Sequence, residues 1–129
     1  MATIKSYSDL QQSKKLAEIL PLESADMVYQ SIEDEYGDGE WESIPRNHSL
    51  NIGYDNDVPC WSLASLLNVI PKHIDEFNVL RIDISTNDFA MWYDEIGFGV
   101  NNDLPDITME SAVDACVVMI EKLHELNLL

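Results

Sequence analysis

Apolar positions in this chain fall on a helical spacing in three stretches and on a two-residue alternation in others. The densest run is Val58 to Pro71, VPCWSLASLLNVIP. Leu63, Leu66, Leu67 and Ile70 recur at helical spacing, and Trp61, Ala64 and Val69 make the other faces largely apolar. The pattern predicts a core helix covered on several sides, with Pro59 in its first turn and Pro71 ending it. Upstream, Ser8 with Gln11 reads as a capping box for a helix to about Leu20, its stripe being Leu10, Leu16, Ala17 and Leu20. A third helix runs from Ser111, capped with Asp114, to about Leu126. Its apolar side is Ala112, Val113, Ala115, Cys116, Val117, Met119, Ile120 and Leu123.

Alternation predicts strands elsewhere. Leu80, Ile82 and Ile84 face one way against Arg81, Asp83 and Ser85, and Thr86-Asn87-Asp88 supplies a turn. Phe89, Met91 and Tyr93 then alternate with Ala90, Trp92 and Asp94 on the returning strand, giving a hairpin. Met27 to Ile32 alternates as a strand, although Ser24 could cap a short helix instead. Ile32 to Glu42, IEDEYGDGEWE, reads as a solvated turn or long hairpin loop, and Leu50 to Tyr54 as a short return strand. The order is helix, hairpin, helix, hairpin, helix. It predicts one α+β domain over residues 1–129, with three helices packed on a small antiparallel sheet of three or four strands.

Charge changes this picture more than composition does. Twenty-four acids against seven bases give a net charge of -17. Residues 23–57 hold ten of the acids and only one base, Arg46. Such a field repels nucleic acid and anionic lipid and attracts basic surfaces. Seven bases give no cradle for a nucleic-acid backbone. No apolar run approaches the roughly 20 residues of a membrane span, and MATIKSYSDL has no signal-peptide core. Cys60 and Cys116 both fall in apolar helical patterns, as small buried hydrophobes do. These features predict a cytoplasmic protein.

Candidate chemistry is thin. Glu121-x-x-His124 is a single copy of a motif that dimetal bundles need twice. Asp34, Asp38 and Gly39 fit positions 1, 5 and 6 of a calcium loop, but Tyr36 and Pro45 stand at positions 3 and 12. No metal ligand set, cofactor motif or catalytic residue follows. Nothing selects one pair among the carboxylates for glycosidase-like chemistry, and the cysteines lack a neighbouring base. Trp92 reads as sheet cover, whereas acids flank Trp41 and leave it open.

Three blocks, LAEILPLESADM, PCWSLASLLNVIP and SAVDACVVMIEKLHELNLL, 44 of the 129 residues, resemble a family of short uncharacterised proteins of Bacteroides-type bacteria. These are often encoded in prophages and other mobile elements. Ala112 stands where the family often has proline. The resemblance implies a mobile-element accessory protein and brings no catalytic residues.

The expectation is a non-enzymatic interaction protein presenting an acidic surface to a basic protein partner, with DNA mimicry as one form this could take. The candidate residues are Glu33, Asp34, Glu35, Tyr36, Asp38, Glu40, Trp41 and Glu42, with the two aromatics as anchors inside a charged rim. One alternative is a hydrolase or transferase using an unselected Asp/Glu pair. Another is a homo-oligomer, a structural subunit that self-associates through the Trp92 face.

Overall fold

The computed structural model describes residues 5–33, 39–45 and 58–129, with the backbone alone at 31–33 and 39–45. The fold is α+β, with three α-helices. They are α1 (Leu10–Ile19), α2 (Leu63–Val69) and α3 (Ala112–Glu125). The strands divide over two antiparallel sheets instead of forming one. The first has the order β2-β1-β3, from β1 (Met27–Glu33), β2 (Gly39–Pro45) and β3 (Val58–Cys60). The second runs β4 (His73–Ile74), β5 (Asn78–Ile84), β6 (Phe89–Glu95). The far edge of β6 pairs with both β7 (Gly99–Val100) and β8 (Ile107–Met109). No helix among the described residues is long and apolar enough to cross a membrane.

The organising element is α3. It buries Val113, Ala115, Cys116, Val117, Met119, Ile120 and Leu123, and it packs against β6, β8, α1 and α2. Its start follows the sequence: the Ser111 hydroxyl accepts from the Asp114 N–H at 3.2 Å. Its end is a Schellman motif, with Leu128 N–H donating to the Leu123 carbonyl and Asn127 N–H to that of His124. Asn127 takes the left-handed conformation this motif needs, φ 57°, which asparagine tolerates.

The Val58–Pro71 run departs from expectation. Pro59 lies in β3, not in a helical turn. Because β3 is an edge strand, the missing N–H costs no ladder bond. The helix begins at Leu63 after the Ser62 cap, and only Leu66 within it is fully buried; Leu63, Leu67 and Val69 are half-buried against the core. The all-round apolar pattern reflects Trp61 and Ile70, buried on either side of α2, more than the helix itself. The Trp61 indole N–H donates to the Ser24 hydroxyl at 2.9 Å, which satisfies its one polar atom inside the core.

The first helix is capped one residue later than predicted. Asp9 accepts from Gln12 N–H at 2.8 Å, and the Gln12 side chain returns a bond from Asp9 N–H at 3.0 Å. Ser8 is drawn into the core instead. Its hydroxyl bonds that of Ser13 at 2.7 Å and accepts from Trp61 N–H at 3.1 Å. Accordingly the buried stripe is Ser13, Leu16 and Leu20, and Ala17 is exposed.

The predicted hairpin is β5–β6, and Phe89, Met91 and Tyr93 are its buried face. Ser85 closes the turn, donating from N–H to the Asp88 carbonyl at 2.9 Å. The apolar row of β5 is covered at Leu80 only; Ile82 and Ile84 are exposed, because α3 packs under β6 and β8 and not under this end of β5. Tyr93 anchors the sheet to the chain leaving α2, donating its hydroxyl to the Pro71 carbonyl at 2.7 Å. The stretch to Glu42, predicted as loop, contains strand β2, paired with β1 from Met27↔Pro45 to Glu33↔Gly39. Residues 22–24 form a 3₁₀ turn before β1. The strand expected at Leu50–Tyr54 lies outside the described residues.

Candidate functional site

Strand pairing decides how the acidic candidates are distributed. In β1–β2 the partners are Gln30↔Glu42, Ser31↔Trp41, Ile32↔Glu40 and Glu33↔Gly39. Successive positions on a strand belong to opposite faces. Positions 33 and 41 therefore share a face with Tyr29, while positions 40 and 42 share the other. The predicted surface is split across the hairpin. Asp34, Glu35, Tyr36 and Asp38 lie outside the described residues.

The Tyr29 face leads into an open groove of about 780 Å³. One wall is the segment before α1, with Lys5, Ser6, Tyr7 and Asp9; the other runs from β8 into α3, with Thr108, Met109, Glu110, Ser111 and Asp114. Tyr7 and Tyr29 meet edge to face, with ring centroids 6.3 Å apart. Tyr29 donates its hydroxyl to the Ser8 carbonyl at 2.7 Å, and burial pushes its pKa upward. It is thus a neutral, fixed wall of the groove.

Three carboxylates border the groove, and Lys5 ties two of them together. Its ammonium donates to Asp114 at 2.7 Å, to Asp9 at 3.1 Å and to the Gln12 amide oxygen at 2.8 Å. Gln12 also donates to Asp114 at 2.8 Å. Burial opposes both charges, but the hydrogen bonds outweigh it, so Lys5 titrates above its ordinary value and Asp114 below. The Asp114 side chain, expected to complete a capping box, is committed to this cluster. Glu110 is exposed at the rim. With Asp9, Glu110 and Asp114 against Lys5, the groove is acidic on balance and aromatic at its base. Such a surface suits a cationic side chain, which gains from the carboxylates and from the exposed Tyr7 ring.

None of Lys5, Tyr7, Asp9, Tyr29 or Asp114 is legible as a site in the sequence. Lys5 and Asp114 are 109 positions apart, and each alone reads as an ordinary surface or capping residue.

Other constellations stay apart. Among the described residues no three His, Cys, Asp or Glu side chains gather as metal ligands. Glu121 is half-buried and His124 exposed on the tail of α3. Cys60 and Cys116 are free and buried. Burial pushes both thiols up, Cys116 to about 12. Thiols held protonated are poor nucleophiles. Both are expected to resist alkylation near neutral pH in the folded protein and to react fully on unfolding. Mass spectrometry after a timed pulse of iodoacetamide checks this; fast native labelling of Cys60 would mean an open path to Ser8. No protein-family model, curated protein or solved structure matches this chain.

Proposed function

We propose that this is a non-enzymatic interaction protein whose acidic groove and adjoining β1–β2 hairpin capture a basic segment of another protein. The observation that carries the reading is the strand register, which puts positions 33 and 41 on the Tyr29 face, in line with the groove. A chain of net charge -17 supplies the long-range attraction, and an aromatic within a charged rim supplies the anchor. Lys5 and Gln12 anchor these carboxylates through Asp9 Oδ2 and Asp114 Oδ1, which favours binding over acid–base work at this groove. A nucleic-acid-binding protein, whose DNA site the acids imitate, is the partner class that fits best. Two free buried thiols suit a reducing cytoplasm. The mobile-element accessory role rests on the three sequence blocks alone.

Immobilised wild type, Trp41→Ala and the triple variant Glu33→Gln, Asp34→Asn, Glu35→Gln are to be compared for capture of basic proteins from a host lysate. The captured partner is then titrated against each. Trp41→Ala is expected to weaken binding by about 2 kcal/mol or more. The triple variant should slow association and flatten its salt dependence. Equal affinities and salt slopes for all three proteins would dismiss the hairpin as the binding surface.

A further inference from the structure

The outward face of the five-stranded sheet is unusual for a face in water. Register places Val79, Arg81 and Asp83 on β5 beside Ala90, Trp92 and Asp94 on β6, with Val100 of β7 opposite Asp94; Phe77 and Ile96, joined by the bond from Ile96 N–H to the Phe77 carbonyl, continue the two rows just beyond the strand ends. An exposed sheet face is normally polar at alternate positions. Here Phe77 is 60% exposed, Ile96 59% and Val100 47%, and Phe98, in the turn between them, is 82% exposed. At about 150–250 Å² per aromatic side chain, the two phenylalanines alone leave on the order of 300 Å² of apolar surface in water. With Ile96 and Val100 added, this is a patch of the size that marks interaction sites.

Charge indicates what covers it. The Arg81 guanidinium pairs with Asp94 at 3.3 Å, and the Trp92 indole N–H also donates to Asp94 at 2.8 Å. Asp83 at the far end is the one other carboxylate on the β5 and β6 rows of this face. The face is therefore close to neutral on a chain of net charge -17. A basic partner has little to grip here, whereas a second copy offers an equally neutral apolar face. We infer that this sheet face is a self-association surface, joining two copies about a two-fold axis as stacked sheets. Four strand rows of up to seven residues, about 4.8 Å apart and 3.3 Å per residue, span a projected area of roughly 400 Å². Counted on both copies, about 800 Å² falls short of the roughly 1,200–2,000 Å² of stable complexes, so the dimer is a weak one.

Two net charges of the same sign repel, so the dimer should strengthen with salt, whereas capture of a basic partner weakens. Sedimentation equilibrium up to about 300 µM protein, at low and high NaCl, reads this directly. The expected result is a monomer–dimer equilibrium shifted toward dimer by salt. Ile96→Lys or Phe98→Ser should weaken it at least ten-fold, with circular dichroism confirming the fold. Ile84→Lys, at an exposed apolar position on the other face of β5, should leave it unchanged. A protein monomeric throughout that range in high salt overturns the inference. So does a dimer that ignores both face variants. Neither outcome touches the groove reading, which Trp41→Ala tests separately.

Discussion

Leu66→Ala is expected to destabilise the protein by about 2–5 kcal/mol, and Leu67→Ala by roughly 1–2 kcal/mol. The two residues are neighbours of the same type on the same helix, so propensity and unfolded-state effects nearly cancel between them. What differs is position: Leu66 is fully buried in the cluster formed with α3, and Leu67 is only partly covered. Truncating Leu66 removes its transfer free energy and leaves a cavity that α3 cannot easily fill. Truncating Leu67 removes contacts that water can replace. Against a typical domain stability of about 5–15 kcal/mol, the larger effect threatens folding itself. Urea midpoints of the two variants, with equal m-values, measure the difference. Equal losses would mean that α2 is rotated from the orientation described.

A steep loss of stability in alkali is the second large effect. Burial holds the Cys116 thiol up to about 12 against an ordinary 9.0, and the Tyr93 hydroxyl to about 12 against 10.0. Below pH 9 both groups are protonated in either state, and their contribution is constant. Above it the unfolded chain loses these protons while the native state keeps them, so unfolding gains. At somewhat over 1 kcal/mol per pH unit per group, Cys116 accounts for roughly 3 kcal/mol by pH 11 and Tyr93 for about half as much. Tyr29 and Cys60 are shifted the same way, and the Lys5 cluster also weakens as its ammonium is lost. Chemical denaturation at a series of pH values from neutral to about 11 should show the decline starting near 9. Tyr93→Phe should flatten only the part above 10. A profile flat to pH 11 would contradict the burial of both groups. The acid limb has the opposite origin. Bonds from Ser62 and Lys5, outweighing burial, hold Asp26 and Asp114 below the usual range, so their stabilisation is lost as pH falls through those lowered values.

What was legible in the sequence is what local periodicity encodes. The α3 stripe and its Ser111 cap, and the Phe89–Met91–Tyr93 face with its Thr86–Asp88 turn, follow from spacing alone. Where two local rules compete, tertiary contacts decide. Ser8 and Asp9 are both good caps, and Asp9 takes the role because Ser8 is needed against Ser13 and Trp61. Pro59 suits a helix start and an edge strand equally, and pairing with Val28 selects the strand. β2 is hidden because Gly39, Glu40 and Glu42 carry loop composition, and its strand character comes from β1. The candidate site was half legible. Charge marks the hairpin, but nothing local joins Lys5 to Asp114 or aligns Tyr29 with position 41.

The placement of α3 has a consequence for synthesis. This helix follows every described strand, yet it supplies the largest share of the core. As the nascent polypeptide leaves the ribosome, β5 and β6 can pair locally within microseconds. Trp61, Leu66, Met91 and Tyr93 cannot be enclosed until α3 has also emerged. The Lys5 cluster waits on the same helix, since Asp114 lies in its opening turn. Until then the chain carries exposed apolar surface, and its excess of carboxylates keeps neighbouring nascent chains apart. The same negative charge that disfavours the compact state thus protects the protein during the interval when it has no core.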